Sequence, residues 1–281
     1  MAESLLINGA PGDSVGVFDR GLAYGDGVFR TLAVQGGRPE FWARHMAKLA
    51  ADCGALGIPA PDAGLLAADA RRLLAGEDRM VLKIIVTRGA GGRGYKPPVP
   101  PTPTRIVLRA PWPDYPAALA EQGVALRLCD TRLGLQPKLA GVKHLNRLEQ
   151  VLARDEWSDP AIHEGLMCDS DGRAVEGVMS NLFVLRGGRL FTPDLGRCGV
   201  AGVMRGLVLE IAARQGIDAR IADLALDELR SADEIFLTNS LIGLWPVRQF
   251  DGRACQVGAV TRALAARLAE MRAASPGEFP A

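Results

Sequence analysis

The first 110 residues alternate between short apolar runs and glycine-containing turns, a pattern typical of β-strands. The segments "LLING" and "VGVFDRG" fit short strands, and "FRTLAVQGGRPEFW" fits two strands joined by the hairpin turn "QGGR". The segment "FWARHMAKLAADCGALG" has apolar residues at helical spacing and predicts a helix, and residues 62–75 predict a second one. Two further strands, "RMVLKIIVTRG" and "TRIVLRA", complete what we interpret as one α+β unit.

A proline-rich stretch, "PWPDYPAALAE", follows without any clear period and predicts a link between domains. We therefore predict a smaller domain over residues 1–113, a linker over 114–121 and a larger domain over 122–281. The second part begins with the strand pattern "VALRLCD", continues through further strands and the helix "AGVMRGLVLEIAARQG", and ends in a helix from about 259 to 273. The predicted fold class is α+β, with two domains and a ligand site in the cleft between them.

Composition narrows the class of protein without identifying it. Hydrophobic residues make up 48% of the chain, and 33 basic residues against 32 acidic ones give a net charge of +1. This balance provides no overall field for nucleic acid or an anionic membrane. The chain has neither a signal-peptide pattern nor the roughly 20 consecutive apolar residues of a membrane span, so we expect a cytoplasmic protein. Its five cysteines and three histidines are widely spaced, which predicts reduced thiols and no metal site.

The stretch "LAGVKHLNRLEQ" contains a lysine in an unusual setting. Leucine and valine recur at helical spacing from Leu145 onward, so Lys143 is predicted in the first turn of a helix or just before it. The positive end of the helix dipole makes that position mildly unfavourable for a cation. Lys143 is therefore either a solvated surface lysine or an amine that must be neutral to act as a nucleophile.

Three other motifs have a chemical and a structural interpretation. "VEGVMSNLF" contains Glu176, which is either a functional acid or an exposed carboxylate at the end of a strand. "GVAGVMRG" precedes a helix, where the backbone N–H groups of Val203 and Met204 can bind an anion, as those of any helix start can. "FLTNSL" ends a strand with Asn239 and Ser240, which fit either a phosphate site or a turn.

A glycine-rich loop, "RGAGGRGYK", separates two predicted strands. It lacks the residue order of a nucleotide-binding P-loop, and prolines rather than a helix follow it. The loop is either a flexible connection or a mobile lid that brings Arg93 to an anionic substrate.

Taken in order, these motifs resemble the class IV aminotransferase-like family of pyridoxal phosphate enzymes, nearly from end to end. The resemblance rests on "FDRGLAYGDGVFRTL", the lysine segment, "VEGVMSNLF", "GVMRG" and "DEIFLTNSLIGLWPV". It implies the two-domain fold type IV architecture and pyridoxal 5'-phosphate as the cofactor. It also implies a homodimer acting on a small-molecule substrate.

The resemblance assigns roles to individual residues. It makes Lys143 the Schiff-base lysine and Glu176 the acid that pairs with the pyridine nitrogen. It places the cofactor phosphate on the backbone of Val203 and Met204, with Ser240 and Asn239 nearby. Three cations complete the set: Lys48, where the family commonly has an arginine in an H-x-x-R motif, and Arg93 and Arg30 as candidates for binding substrate carboxylates.

Within the family, "GGRGY" and "LAGVKHLNRLEQVLAR" favour one branch. That branch eliminates pyruvate from 4-amino-4-deoxychorismate to give 4-aminobenzoate, a folate precursor. A transaminase acting on D-amino or branched-chain amino acids is the alternative within the family. A non-catalytic cofactor-binding protein is a further alternative, against which the intact lysine and glutamate argue.

Overall fold

The computed structural model describes residues 4–280, which divide into two compact units. The first unit contains residues 4–113, 142–146 and 272–280, and the second contains residues 114–141 and 147–271. The division after residue 113 coincides with the end of the predicted smaller domain. The predicted linker instead belongs to the second unit, where it contributes to helix α4 (Ala118–Gln122). The segment containing Lys143 belongs to the first unit and not to the larger domain predicted for it.

The first unit is built on a six-stranded antiparallel sheet with the order β2-β1-β6-β5-β3-β4. Its strands are β1 (Leu5–Ile7), β2 (Ala10–Pro11), β3 (Gly27–Gln35), β4 (Arg38–Pro39), β5 (Arg79–Thr87) and β6 (Thr104–Pro111). The predicted hairpin joins β3 to β4 through Gly36 and Gly37, whose φ angles are 56° and 68°. Two positive φ angles in succession define a type I′ turn, which favours glycine at both positions.

Two helices, α2 (Trp42–Ala55) and α3 (Ala63–Leu74), pack on the first sheet and complete its hydrophobic core. The short helix α1 (Arg20–Tyr24) precedes β3. Leu49 of α2 and Leu66 of α3 join Leu32 and Leu82 of the strands in one buried cluster. The two longer helices agree with the sequence prediction, since their apolar residues follow the helical period.

The second unit contains a ten-stranded sheet in which part of the sheet closes into a ring. Its strands are β7 (Val124–Leu133), β8 (Ile162–Asp169), β9 (Arg173–Gly177), β10 (Asn181–Arg186), β11 (Arg189–Pro193), β12 (Ala219–Ala222), β13 (Leu224–Ala225), β14 (Glu234–Asn239), β15 (Gly243–Phe250) and β16 (Arg253–Ala254). The pairings β10-β14-β15-β7-β8-β9 return to β10 through Asn181 opposite Glu176. This closure gives the sheet a barrel-like form.

The other helices of the chain are α5 (Leu148–Asp155), α6 (Val203–Arg214), α7 (Leu226–Arg230) and α8 (Ala259–Ala274), followed by a 3₁₀ turn at Ser275–Glu278. Among residues 4–280, no helix is long and apolar enough to cross a membrane. The same residues contain no group of three or more histidine, cysteine, aspartate or glutamate side chains able to hold a metal ion.

Two predicted elements were wrong. The strand predicted at "VGVFDRG" is absent, because Asp19 accepts a hydrogen bond from the N–H of Gly21 and starts helix α1 instead. Lys143 does not lie at the start of a helix, since α5 begins only at Leu148. The lysine segment pairs with β3: the N–H of Phe29 donates to the carbonyl of Lys143 over 3.0 Å. The helix-dipole argument therefore does not apply to this lysine.

Candidate active site

The surroundings of Lys143 are defined within the first unit. Its backbone N–H donates to Oδ2 of Asp52 over 3.2 Å. Its Nζ atom lies 4.6 Å from the centre of the Phe29 ring, within the range of a cation–π contact. Both the main chain and the side-chain amine therefore have specific neighbours, which a freely solvated lysine lacks.

Asp52 also binds two of the predicted site cations. Its Oδ1 atom forms an ion pair with Lys48, one helical turn earlier on α2, and its Oδ2 atom forms one with Arg30 of β3. The side chains of Asp52 and Arg30 are each 2% exposed, whereas that of Lys48 is 23% exposed. The predicted role of Arg30 as a substrate-facing cation does not fit this burial, because its guanidinium is directed into the protein towards Asp52.

Burial lowers the pKa values of this cluster, and neighbouring positive charges lower two of them further. Burial, with the charges of Arg30 and Lys143, lowers the pKa of Lys48 to about 8. The same three influences lower the pKa of the buried His45 to about 3, so this imidazole is neutral at pH 7. Burial lowers the pKa of Arg30 to about 10. A cluster with this surplus of positive charge favours a negatively charged ligand.

Glu176 lies in the second unit, on β9, and is 4% exposed. Its Oε2 atom accepts a hydrogen bond of 2.8 Å from the N–H of Val200. The carboxylate also acts on Arg147, for which burial lowers the pKa while the charges of Glu176 and Glu149 raise it. Glu176 is thus a buried, bonded acid, and the alternative of an exposed carboxylate at a strand end does not hold.

The start of α6 is built to leave backbone donors available. Its N-cap is Gly202, which has no side chain to bond the first turn formed by Val203 and Met204. A Cβ atom on Gly202 would lie 2.3 Å from Oδ1 of Asn181, which accepts a hydrogen bond of 3.1 Å from the N–H of Gly202. Asn181 also donates to the carbonyl of Val200 over 2.7 Å. The Asn181 amide fixes the loop that leads into the helix. A side chain at position 202 would have to displace this amide, which favours glycine.

Asn239 is a turn-forming residue in this structure. Its Oδ1 atom accepts hydrogen bonds from the N–H groups of Leu241 and Ile242, at 2.9 and 3.0 Å. Its Nδ2 atom donates to the carbonyl of Met179 over 3.0 Å. The predicted phosphate role does not fit Asn239, since its amide is occupied by the protein. Ser240 is half-buried in the same turn.

The glycine-rich loop is anchored by a residue that the sequence analysis did not single out. Arg20 donates to the carbonyls of Gly94 and Tyr95, at 3.0 and 3.1 Å, and forms an ion pair of 2.8 Å with Asp26. Arg93 is exposed in the loop beside these bonds. These bonds hold the loop at Gly94 and Tyr95, and they favour neither a flexible connection nor a freely mobile lid.

Comparison with known proteins places the chain in a family. The family model described as amino-transferase class IV matches residues 27–250. The chain belongs to the class IV aminotransferase family. Within this family it is 39% identical to an aminodeoxychorismate lyase from Vibrio harveyi over 241 residues, which cover 86% of this chain and 89% of that protein. It is also 31% identical to a putative branched-chain-amino-acid aminotransferase from Methanocaldococcus jannaschii over 92% of this chain and 91% of that protein.

Solved structures of class IV proteins agree with the architecture described above. The crystal structure of 4-amino-4-deoxychorismate lyase from Pseudomonas aeruginosa is 50% identical, with a TM-score of 0.91 over 95% of this chain and 98% of that chain. The branched-chain aminotransferase from Thermoproteus uzoniensis has a TM-score of 0.86 at 20% identity, covering 98% of this chain and 96% of that one, and so shares the fold alone. The predicted α+β, fold type IV class is confirmed.

Proposed function

We propose that this chain is a pyridoxal-phosphate-dependent lyase that converts 4-amino-4-deoxychorismate into 4-aminobenzoate and pyruvate. The observation that carries the proposal is the 50% identity, over nearly the whole chain, to the lyase from Pseudomonas aeruginosa. The similar lyase from Vibrio harveyi adds support from a second relative. The product of this reaction is a precursor of folate.

The side chains of the first unit suit a cofactor that has an aldehyde and a phosphate. Lys143 provides the amine for the aldehyde, and the cations Lys48 and Arg30 share the single carboxylate of Asp52. An anion brought next to these cations would interact favourably with their positive charge. In this proposal Lys48 binds the phosphate, while the buried Arg30 adds positive charge nearby.

The second unit has candidate groups of its own for a phosphate and for a ring nitrogen. The uncapped first turn of α6 presents the backbone N–H groups of Val203 and Met204 at the positive end of the helix dipole. Met204 is 1% exposed, so it contributes its main chain and not its side chain. We propose that these N–H groups and Ser240 bind the phosphate, and that Glu176 binds the nitrogen of the pyridine ring.

Pyridoxal phosphate, when bound, supplies an aldehyde that captures amines and a protonated ring that withdraws electrons from a neighbouring carbanion. With the cofactor bound, Lys143 would hold its aldehyde through Nζ and, once the amine is free, would remove the proton from the substrate carbon that bears the amine. Glu176 would keep the ring nitrogen of the cofactor protonated. As the substrate loses its C–H proton to Lys143, its C–O bond to the enolpyruvyl group breaks and the substrate ring becomes aromatic; the departing enolpyruvate takes up a proton to become pyruvate, and the aromatisation makes the elimination effectively irreversible. Arg93, exposed in the anchored loop, is the candidate for binding a substrate carboxylate.

A transaminase is the second candidate, because the chain is also similar to a putative branched-chain-amino-acid aminotransferase. The two activities use the same lysine and glutamate, so only the product distinguishes them. Purified protein loaded with pyridoxal phosphate should be given 4-amino-4-deoxychorismate and, separately, D-alanine or branched-chain amino acids with 2-oxoglutarate. Fluorescent 4-aminobenzoate in the first reaction, lost in Lys143→Ala, is the expected result. Glutamate formation alone would replace the lyase proposal with the transaminase.

A homodimer is proposed from the family resemblance and is supported by one face of α5. Leu148, Val151 and Leu152 are 75%, 60% and 62% exposed, although their spacing is that of a buried helical stripe. A subunit contact would remove this apolar surface from water. Light scattering of the purified protein should give twice the 29.9 kDa mass of the chain. The variant Leu152→Glu should shift that mass towards the monomer, and a monomeric wild type would contradict the proposal.

A further inference from the structure

A single buried carboxylate connects three separate parts of the first unit. Asp52 is 1% exposed and lies in the last turn of α2. It accepts the backbone N–H of Lys143 and forms ion pairs with Lys48 on its own helix and with Arg30 on β3. A buried carboxylate needs such partners, because without them its loss of hydration is costly.

The contact with the lysine segment differs in kind from the two ion pairs. Residues 142–146 are bonded to β3 through the carbonyl of Lys143 and through the N–H of Leu145, which donates to Gly27 over 2.9 Å. Neither bond uses the N–H of Lys143. Asp52 accepts it and so bonds this main chain to α2.

We propose that Asp52 is a positioning residue, whose carboxylate fixes the main chain of Lys143 while holding Lys48 and Arg30 beside it. The inference rests on the proposed function insofar as it gives Lys143 a chemical role. The competing explanation is that Asp52 only balances the charges of Arg30 and Lys48. The two explanations predict different behaviour of the Lys143 backbone amide. Only the first predicts that this amide exchanges faster when the carboxylate is removed.

The small number of lysines allows a direct test in the cofactor-free protein. The chain has five, at positions 48, 83, 96, 138 and 143, so labelling with ¹⁵N-lysine gives five backbone amide signals. Lys83 lies within the central strand β5 and is the protected reference, whereas Lys96 is exposed in the loop. The Lys143 amide should exchange slowly in the wild type. It should exchange at least about tenfold faster in Asp52→Ala, as expected when a hydrogen bond to a charged group is lost.

Asp69→Ala is the matched control. Asp69 is 7% exposed in the same unit and forms an ion pair of 2.7 Å with Arg105, so its removal also breaks a buried pair. This variant should leave the exchange of the Lys143 amide, relative to that of Lys83, unchanged. Equal acceleration in both variants would overturn the proposal, because the effect would then reflect general destabilisation.

Two further measurements keep the test decisive if Asp52→Ala does not fold. Asp52→Asn keeps the volume and one acceptor but not the charge, so the Lys143 amide should exchange faster than in the wild type while the Lys83 amide stays protected. A wild-type Lys143 amide that exchanges as fast as that of Lys96 would overturn the proposal without any variant.

The chemical consequence is measured with pyridoxal phosphate as the probe. Borohydride trapping on Lys143 should be at least about tenfold slower in Asp52→Ala than in Asp69→Ala, and slowed to a smaller extent in Asp52→Asn, which keeps one acceptor. Equal trapping rates would overturn the positioning role. A wild type that is not labelled at Lys143 would contradict the proposed function instead, and amide exchange would then decide the role of Asp52 alone.

Discussion

Lys48 is expected to make cofactor binding depend on pH. Because the pKa of this amine is lowered to about 8, its charge changes between pH 7 and pH 9. With a 23% exposed side chain, it is screened only in part by solvent. The charged form, present below pH 8, binds a phosphate through a charge-assisted hydrogen bond, and the neutral form above pH 8 lacks the charge. The affinity for the cofactor should therefore be close to its maximum at pH 7 and should fall as the pH rises.

The size of the effect follows from the titration. With a pKa of about 8, the charged fraction falls from roughly nine-tenths at pH 7 to roughly one-tenth at pH 9, so the affinity should fall about tenfold. Lys48→Ala should lose about 1.5–3 kcal/mol of binding free energy at pH 7, or less if the α6 backbone compensates, and should lack this tenfold fall with pH. Lys48→Arg should bind at least as tightly as the wild type and should also lack the fall, since arginine stays charged throughout.

Pyridoxamine phosphate is the appropriate probe, because it has no aldehyde for Lys143 to capture. Its second phosphate pKa is near 6 and so does not interfere between pH 7 and pH 9. Neighbouring His45 and Arg30, with pKa values of about 3 and about 10, keep nearly constant charge over this range. The Lys143 amine and the ring nitrogen of the probe are common to wild type and Lys48→Arg, so the difference in pH slope between these two proteins reports Lys48. Fluorescence titrations at pH 7, 8 and 9 give the affinities. An equal pH slope in Lys48→Arg and wild type would refute the argument, and a Lys48→Ala titration identical to wild type would make Lys48 a solvated helix residue.

Three further predictions address other parts of the site. Lys143→Ala should lose nearly all turnover and all borohydride-trapped cofactor, and peptide mapping that finds the label on Lys138 would contradict the assignment. Glu176→Gln should keep the cofactor bound but slow the elimination by about 10²-fold or more, because the electron sink is weaker; a wild-type rate would leave the carboxylate a structural role only. Gly202→Ala should lower the free energy of unfolding by about 1–3 kcal/mol, because its Cβ would lie 2.3 Å from Asn181. Urea unfolding measures this change, and an unchanged midpoint would show that the loop adapts.

The elements that depend on local pattern were predictable from the sequence. The double glycine specified the turn between β3 and β4, and the apolar period located α2, α3, α6 and α8. The lysine segment misled the same reasoning, because Leu145 extends the helical period although its N–H is bonded to Gly27. That bond joins residues far apart in the chain, and no local pattern reveals it.

The residues of the candidate site were also only partly predictable from the sequence. Motifs placed Lys143, Glu176 and the start of α6 in the sequence, but they did not reveal that Arg30 is buried. Asp52 was missed because two of its three partners are distant in the chain. A partial signal was present, since Lys48 and Asp52 are four residues apart on one helix. Arg20 was missed for a similar reason, because the loop carbonyls that it binds lie more than 70 residues away.

The strand pairing that closes the ring in the second sheet should tolerate substitutions in its turn better than insertions. Asn181 lies opposite Glu176, and the turn between them is held by Glu164, which accepts hydrogen bonds from the N–H of Met179 and the hydroxyl of Ser180. Met179 is 41% exposed, and its sulfur accepts a weak hydrogen bond of 3.9 Å from the hydroxyl of Tyr115, so a substitution there removes one weak contact. One inserted residue would shift the register of β10 against β9 and turn Asn181 to the opposite face. Libraries built for this turn should therefore substitute position 179 and keep the length between positions 176 and 181 fixed.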